Sequence, residues 1–64
     1  MCRSIKVLRG DEDRTDDDVR AAALQFVRKV SGYRAPSKRN ADAFELAVDE
    51  VTASVRRLLV AVEA

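Results

Sequence analysis

The chain has 64 residues, a formal net charge of +1, one cysteine and no histidine. Its length allows one domain, near the lower limit for a self-sufficient core. The residue inventory excludes an internal disulfide, a thiolate zinc cage and any chemistry that needs histidine, and the balanced charge favours neither nucleic acid nor an anionic membrane as a bulk partner.

Residues 1–10, MCRSIKVLRG, carry a small apolar set, Ile5, Val7 and Leu8. Ile5 and Leu8 fit one helical turn, whereas Ile5 and Val7 fit a strand. A strand would have no partner, so a turn of helix or an extended arm is expected. There is no apolar signal-peptide region and no run of the ~20 apolar residues a membrane span requires. The expected compartment is the cytoplasm, with no membrane partner.

Residues 11–18, DEDRTDDD, form an acidic loop opened by Gly10. Thr15 reads as an N-cap, with Asp18 in the capping-box position and Asp16, Asp17 and Asp18 favoured by the helix dipole. A calcium loop of the EF-hand kind would need an interior glycine and a closing glutamate, and neither is present. The first helix is expected over residues 16–31. Val19, Ala22, Ala23, Phe26, Val27 and Val30 form its apolar stripe, and Asp16 and Arg20 form an i, i+4 pair.

The stretch Val30-Ser-Gly-Tyr-Arg-Ala-Pro-Ser37 is the strongest punctuation in the chain. Gly32 can end a helix in the left-handed conformation. Pro36 pushes Ala35 out of the helical region, and Ser37 is placed to cap the next helix. That second helix is expected over residues 38–62. Its seam is Phe44, Val48, Val51, Val55, Leu58 and Val62, with Ala47 and Leu59 beside it. Leu46 and Val60 fall off the seam, where they could widen the buried face or meet a second chain.

The predicted fold is all-α: an antiparallel helical hairpin with a short N-terminal arm, as one small domain over residues 1–64. At 1.5 Å per residue the helices span roughly 24 and 37 Å. The longer one therefore outruns the shorter near Ala53. Ile5 and Leu8 are expected to cover the remainder, with Arg56 and Arg57 near Asp16, Asp17 and Asp18.

Three stretches carry a resemblance. They are Met1-Cys-Arg-Ser-Ile5, then Arg20-Ala-Ala-Ala-Leu-Gln-Phe-Val-Arg-Lys-Val-Ser-Gly32, then Pro36-Ser-Lys-Arg-Asn40 with Ala43-Phe-Glu-Leu-Ala-Val-Asp-Glu50. In this order they make the chain similar to a family of small bacterial proteins known as domain of unknown function 2277. The resemblance implies a small bacterial cytoplasmic protein and carries over no activity. Two features depart from the family pattern. Ser4 stands where asparagine is usual, and Arg9-Gly-Asp-Glu-Asp13 replaces an aromatic, proline-rich stretch.

Two places could bear chemistry. Cys2, exposed if Met1 is removed, would present an amine and a thiol on one residue. Arg3 and Lys6 would favour its thiolate, the form that attacks electrophiles and binds soft metals. Packing as a small hydrophobe is the alternative. The second place is a basic tip at residues 28–39, with Arg28, Lys29, Arg34, Lys38 and Arg39 around Tyr33. It could grip a phosphate backbone and stack a base, or be a solvated loop. Asp42, Glu45 and Asp49 share a helix face and read as its solvated back, with Lys38 neutralising Asp42. The shallow, alanine-rich core calls for help from self-association or a partner. The expected function is a non-enzymatic protein-interaction module, assembled as a homodimer, with no cofactor and no metal site beyond the candidate Cys2. The alternatives are a thiol or metal-handling protein using Cys2, and nucleic-acid binding through the tip.

Overall fold

A computed structural model of the protein describes residues 5–63. Helix α1 spans Asp16–Ser31, a single 3-10 turn covers Lys38–Asn40, and helix α2 spans Ala41–Glu63. The two helices pack antiparallel as a hairpin measuring 40 × 21 × 16 Å. No strand occurs among the described residues. No helix among them is long and apolar enough to cross a membrane.

Local sequence sets the ends of α1. The Thr15 hydroxyl accepts from the Asp18 N–H, and the Asp18 carboxylate accepts from the Thr15 N–H at 2.8 Å. This reciprocal box satisfies two of the amides that every helix start leaves without partners. At the other end Gly32 takes φ 78° and donates its N–H to the Arg28 carbonyl at 2.9 Å. A side chain at that φ would be strained, so the glycine fixes where the helix stops.

The second helix begins differently from expectation. Residues 38–40 form a 3-10 turn and the α-helix starts at Ala41. Ser37 occupies the cap position with extended backbone, but its hydroxyl caps nothing. Its carbonyl accepts from the Asn40 N–H at 3.0 Å instead. Pro36 holds the approach extended, and a tight i to i+3 turn is the shortest way into the helix from there.

Two apolar clusters hold the hairpin. Ala23, Val27, Phe44 and Val48 pack together on the tip side, flanked by Leu24, Ala47 and Val51. Leu8, Val19 and Leu59 pack at the open end, flanked by Val55. Leu8 comes from the N-terminal arm, which is neither helix nor strand over residues 5–8. The arm is thus a third wall of the core at the open end, where α1 still reaches α2 through Val19 and the Asp16–Arg56 pair, about a turn beyond the Ala53 expected from helix lengths.

The expected stripes are only partly buried. Phe26, Val30, Leu58 and Val62 are 49%, 71%, 57% and 51% exposed, while Thr52, absent from the predicted seam, is 2% exposed. In a two-helix protein each helix has one helical neighbour, so an apolar stripe wider than about 100° cannot be covered entirely. Thr52 follows Val48 by four residues, which puts it on the buried line. Its hydroxyl donates to the Val48 carbonyl at 2.6 Å, so no polar atom is orphaned there. Leu46 and Val60 are exposed.

Candidate binding surfaces: a latched side, an open trough and a basic tip

The hairpin has two unlike sides. On one, Arg20 reaches across from α1 to α2. Its guanidinium donates to Asp49 at 2.6 Å and to Glu45 at 2.8 Å. One turn earlier, Arg56 of α2 donates two hydrogen bonds to Asp16. Asp16 therefore pairs with Arg56, and the expected Asp16–Arg20 pair within α1 gives way to two pairs between helices. A guanidinium gains more from two carboxylates in fork geometry than from one intrahelical neighbour. Asp16 is held below the usual carboxylate range chiefly by its hydrogen bond with Arg56. Asp18 is lowered by the Thr15 N–H. Arg20 and Arg56 are raised by Asp49 and Asp16 respectively. The pairs are exposed, so they fix alignment more than they add stability. Glu45 and Asp49 thus have a partner across the hairpin, whereas no Lys38–Asp42 bridge forms among the described residues.

At the open end a clasp ties three segments. The Arg14 guanidinium donates to both Glu63 carboxylate oxygens and to the Leu8 carbonyl, the last at 3.0 Å. The Gly10 N–H donates to the same carboxylate at 2.8 Å. Glu63 falls from its ordinary 4.5 to about 2, first through Arg14 and then through Gly10. The clasp fastens the arm and the acidic loop to the end of α2.

The opposite side of the hairpin carries no latch. It is an open trough of ≈ 360 Å³ floored by Ala22, Ala23 and Val51 and walled by Phe26, Val55 and the arm residues Ile5 and Leu8. Lys6 supplies its one charged wall. The trough exists because small alanines face the shorter β-branched residues of α2, leaving Phe26 to stand at the edge.

The tip residues that the sequence singled out do come together. Arg28 Nε donates to the Arg34 carbonyl at 2.8 Å, which folds the loop back on α1. Arg28, Lys29, Tyr33 and Arg34 line a shallow concavity with Gln25 and Gly32. Tyr33 is 46% exposed, and its hydroxyl accepts from the Asn40 amide at 3.4 Å. Lys38 and Arg39 lie in the following 3-10 turn. Among the described residues none of these cations has a carboxylate partner. Cys2, with Met1 and Arg3, lies outside the described residues. Among those that are described, no cluster of His, Cys, Asp or Glu is placed to hold a metal ion.

Sequence reasoning missed the trough as a shape and the clasp as a contact. The trough was signalled only by Ala22 and Ala23 in a stripe otherwise made of larger residues. Nothing in the sequence links Arg14 to Glu63.

Fold and surfaces together define a small helical-hairpin protein, latched on one side and open on the other. The chain belongs to the family described as "Uncharacterized conserved protein (DUF2277)", whose sequence profile matches residues 1–64. No curated protein and no solved structure matches it.

Proposed function

We propose that the protein is a non-enzymatic protein-interaction module whose working surface is the trough between the arm, α1 and α2. The observation that supports it is the asymmetry of the hairpin. Ion pairs align the helices on one side, while the other leaves Phe26 half exposed above an alanine floor. A bulky aromatic edge beside a small-residue floor is the shape that receives an apolar helical face. The arm, pinned by the Arg14–Glu63 clasp, gives the trough a fixed wall, so little ordering is needed on docking.

The test is a titration of dilute, isotope-labelled protein with an amphipathic leucine–alanine helix peptide. The expected shifts fall on Ala22, Phe26, Val51 and Val55, and Phe26→Glu abolishes them while leaving the helical spectrum unchanged. Shifts spread over the latched side, or none at all, would contradict the reading.

A further inference from the structure

The partner that fits the trough is a second copy of the chain, and its direction is set by charge. We infer that two hairpins pair trough to trough and antiparallel, with the basic tip of each against the acidic loop of the other. This rests on the trough being the interaction surface, and it adds the occupant and its orientation.

The first support is register. The trough is centred near Ala23 on α1 and between Val51 and Val55 on α2. From there the start of α2 at Ala41 and its end at Glu63 both lie about 15–18 Å away, at 1.5 Å per residue. A two-fold axis lying in the contact plane at the trough, perpendicular to the long axis of the hairpin, therefore exchanges the two ends. One end is the tip, with Arg34, Lys38 and Arg39. The other is the loop with Asp11, Glu12 and Asp13, held beside Glu63 by Arg14 and Gly10. The same axis brings Lys29 of one copy toward Asp18 of the other, because they lie six residues after and five residues before Ala23. It also brings Phe26 of each copy within one helical turn of Ala22 of the other, a large residue toward a small floor.

Charge supplies the direction. Among the described residues the tip cations form no ion pair with a carboxylate, and Asp11, Glu12 and Asp13 form none with a cation. The cations and acids that do pair, Arg14 with Glu63, Arg20 with Asp49 and Glu45, and Arg56 with Asp16, lie between the tip and the loop or brace the open end. The balance of what remains is positive at the tip, where Asp42 offsets one of five cations, and negative at the open end, where Lys6, Arg9 and Arg57 offset only part of Asp11, Glu12, Asp13, Asp17 and Asp18. A parallel pair would place tip against tip and loop against loop, which like charges oppose. An antiparallel pair satisfies both ends twice.

Area is the third support. A standard stable interface buries about 800 Å² per partner. The trough fills only the middle of a face 40 Å long and 21 Å wide. A stable pair must therefore engage the ends too, and helices crossing at about 20°, as in four-helix bundles, keep those ends in register.

The experiment is a charge swap read by sedimentation equilibrium, with circular dichroism confirming that each variant is folded. One variant carries Arg34→Glu and Arg39→Glu. The other carries Glu12→Lys and Asp13→Lys. All four side chains are exposed and none is in the trough. Wild type is expected to be a dimer at high micromolar concentration. Each variant alone should associate at least roughly tenfold more weakly, because both end contacts of its own pair become repulsive. An equimolar mixture should recover the dimer, since the mixed pair matches charge at both ends. Variants that dimerise as tightly as wild type would overturn the antiparallel arrangement. A monomeric wild type would overturn self-docking altogether, whether or not the tip then binds duplex DNA. The peptide titration on the trough would still stand or fall by itself in either case.

Discussion

Replacing Leu8 with alanine tests whether the arm is part of the core. Leu8 is 6% exposed and packs between Val19 of α1 and Leu59 of α2, although it belongs to neither helix. Buried leucine-to-alanine changes cost about 2–5 kcal/mol, the spread reflecting how far the site collapses. The arm is a single extended segment that can settle partway into the gap, so the lower part of that range applies, about 2–3 kcal/mol. A chain of this size has a total stability of roughly 3–10 kcal/mol. The substitution should therefore lower the melting temperature by about 10–20 °C. Ile5→Ala is the control. Ile5 sits at the trough wall and is 36% exposed, so it should cost about 1 kcal/mol or less. Urea denaturation at one fixed protein concentration reads both, because association would otherwise contribute to apparent stability. Amide exchange should also show faster opening of the second half of α2 in Leu8→Ala. If that variant unfolds within about 0.5 kcal/mol of wild type, the arm is not a wall of the core and the trough has no fixed edge.

Thr52→Val should leave stability unchanged or raise it slightly, because the hydroxyl it removes bonds a carbonyl that keeps its helical partner. A loss above about 1 kcal/mol on denaturation would show that this hydroxyl supports the core. Glu63→Gln should flatten the acid limb of the stability profile. Glu63 is lowered from 4.5 to about 2 in the folded state, so its contribution is present above pH 4.5 and fades as pH falls toward 2. Asp16 and Asp18 act in the same direction and should leave a residual slope. Melting curves across that window check it, and an unchanged slope would mean that the clasp does not hold in solution.

Local chemistry made much of the fold legible. The Thr15–Asp18 box and Gly32 are signals carried by single residues, and the helix they bound runs over Asp16–Ser31 as read. The arm was legible as a length mismatch, since the helices differ in reach and Ile5 and Leu8 were the apolar residues free to cover the remainder; Leu8 is buried there, whereas Ile5 is 36% exposed. What was not legible depends on how many neighbours each helix has. Periodicity grouped Phe26, Val30, Leu58 and Val62 with the core, but it cannot say that the hairpin is too thin to cover them. Thr52 was passed over because a hydroxyl scores as polar, although its spacing from Val48 fits the buried line. Arg20 was paired with its nearest helical neighbour, since sequence spacing gives no sight of Asp49 and Glu45 across the hairpin. The basic tip was readable as a cluster of charges. That none of its cations meets a carboxylate among the described residues needed the three-dimensional register.

The most direct test of the antiparallel pair is a distance between its two tips. A single spin label at Ser37→Cys, with Cys2→Ser removing the native thiol, marks each tip once. Pulsed dipolar spectroscopy on the associated protein should give a narrow distribution near the 40 Å length of the hairpin, because the two tips lie at opposite ends. A separation below about 20 Å, two helix diameters, would mean a parallel pair. The absence of any defined distance at high micromolar concentration would mean that the trough does not take a second copy.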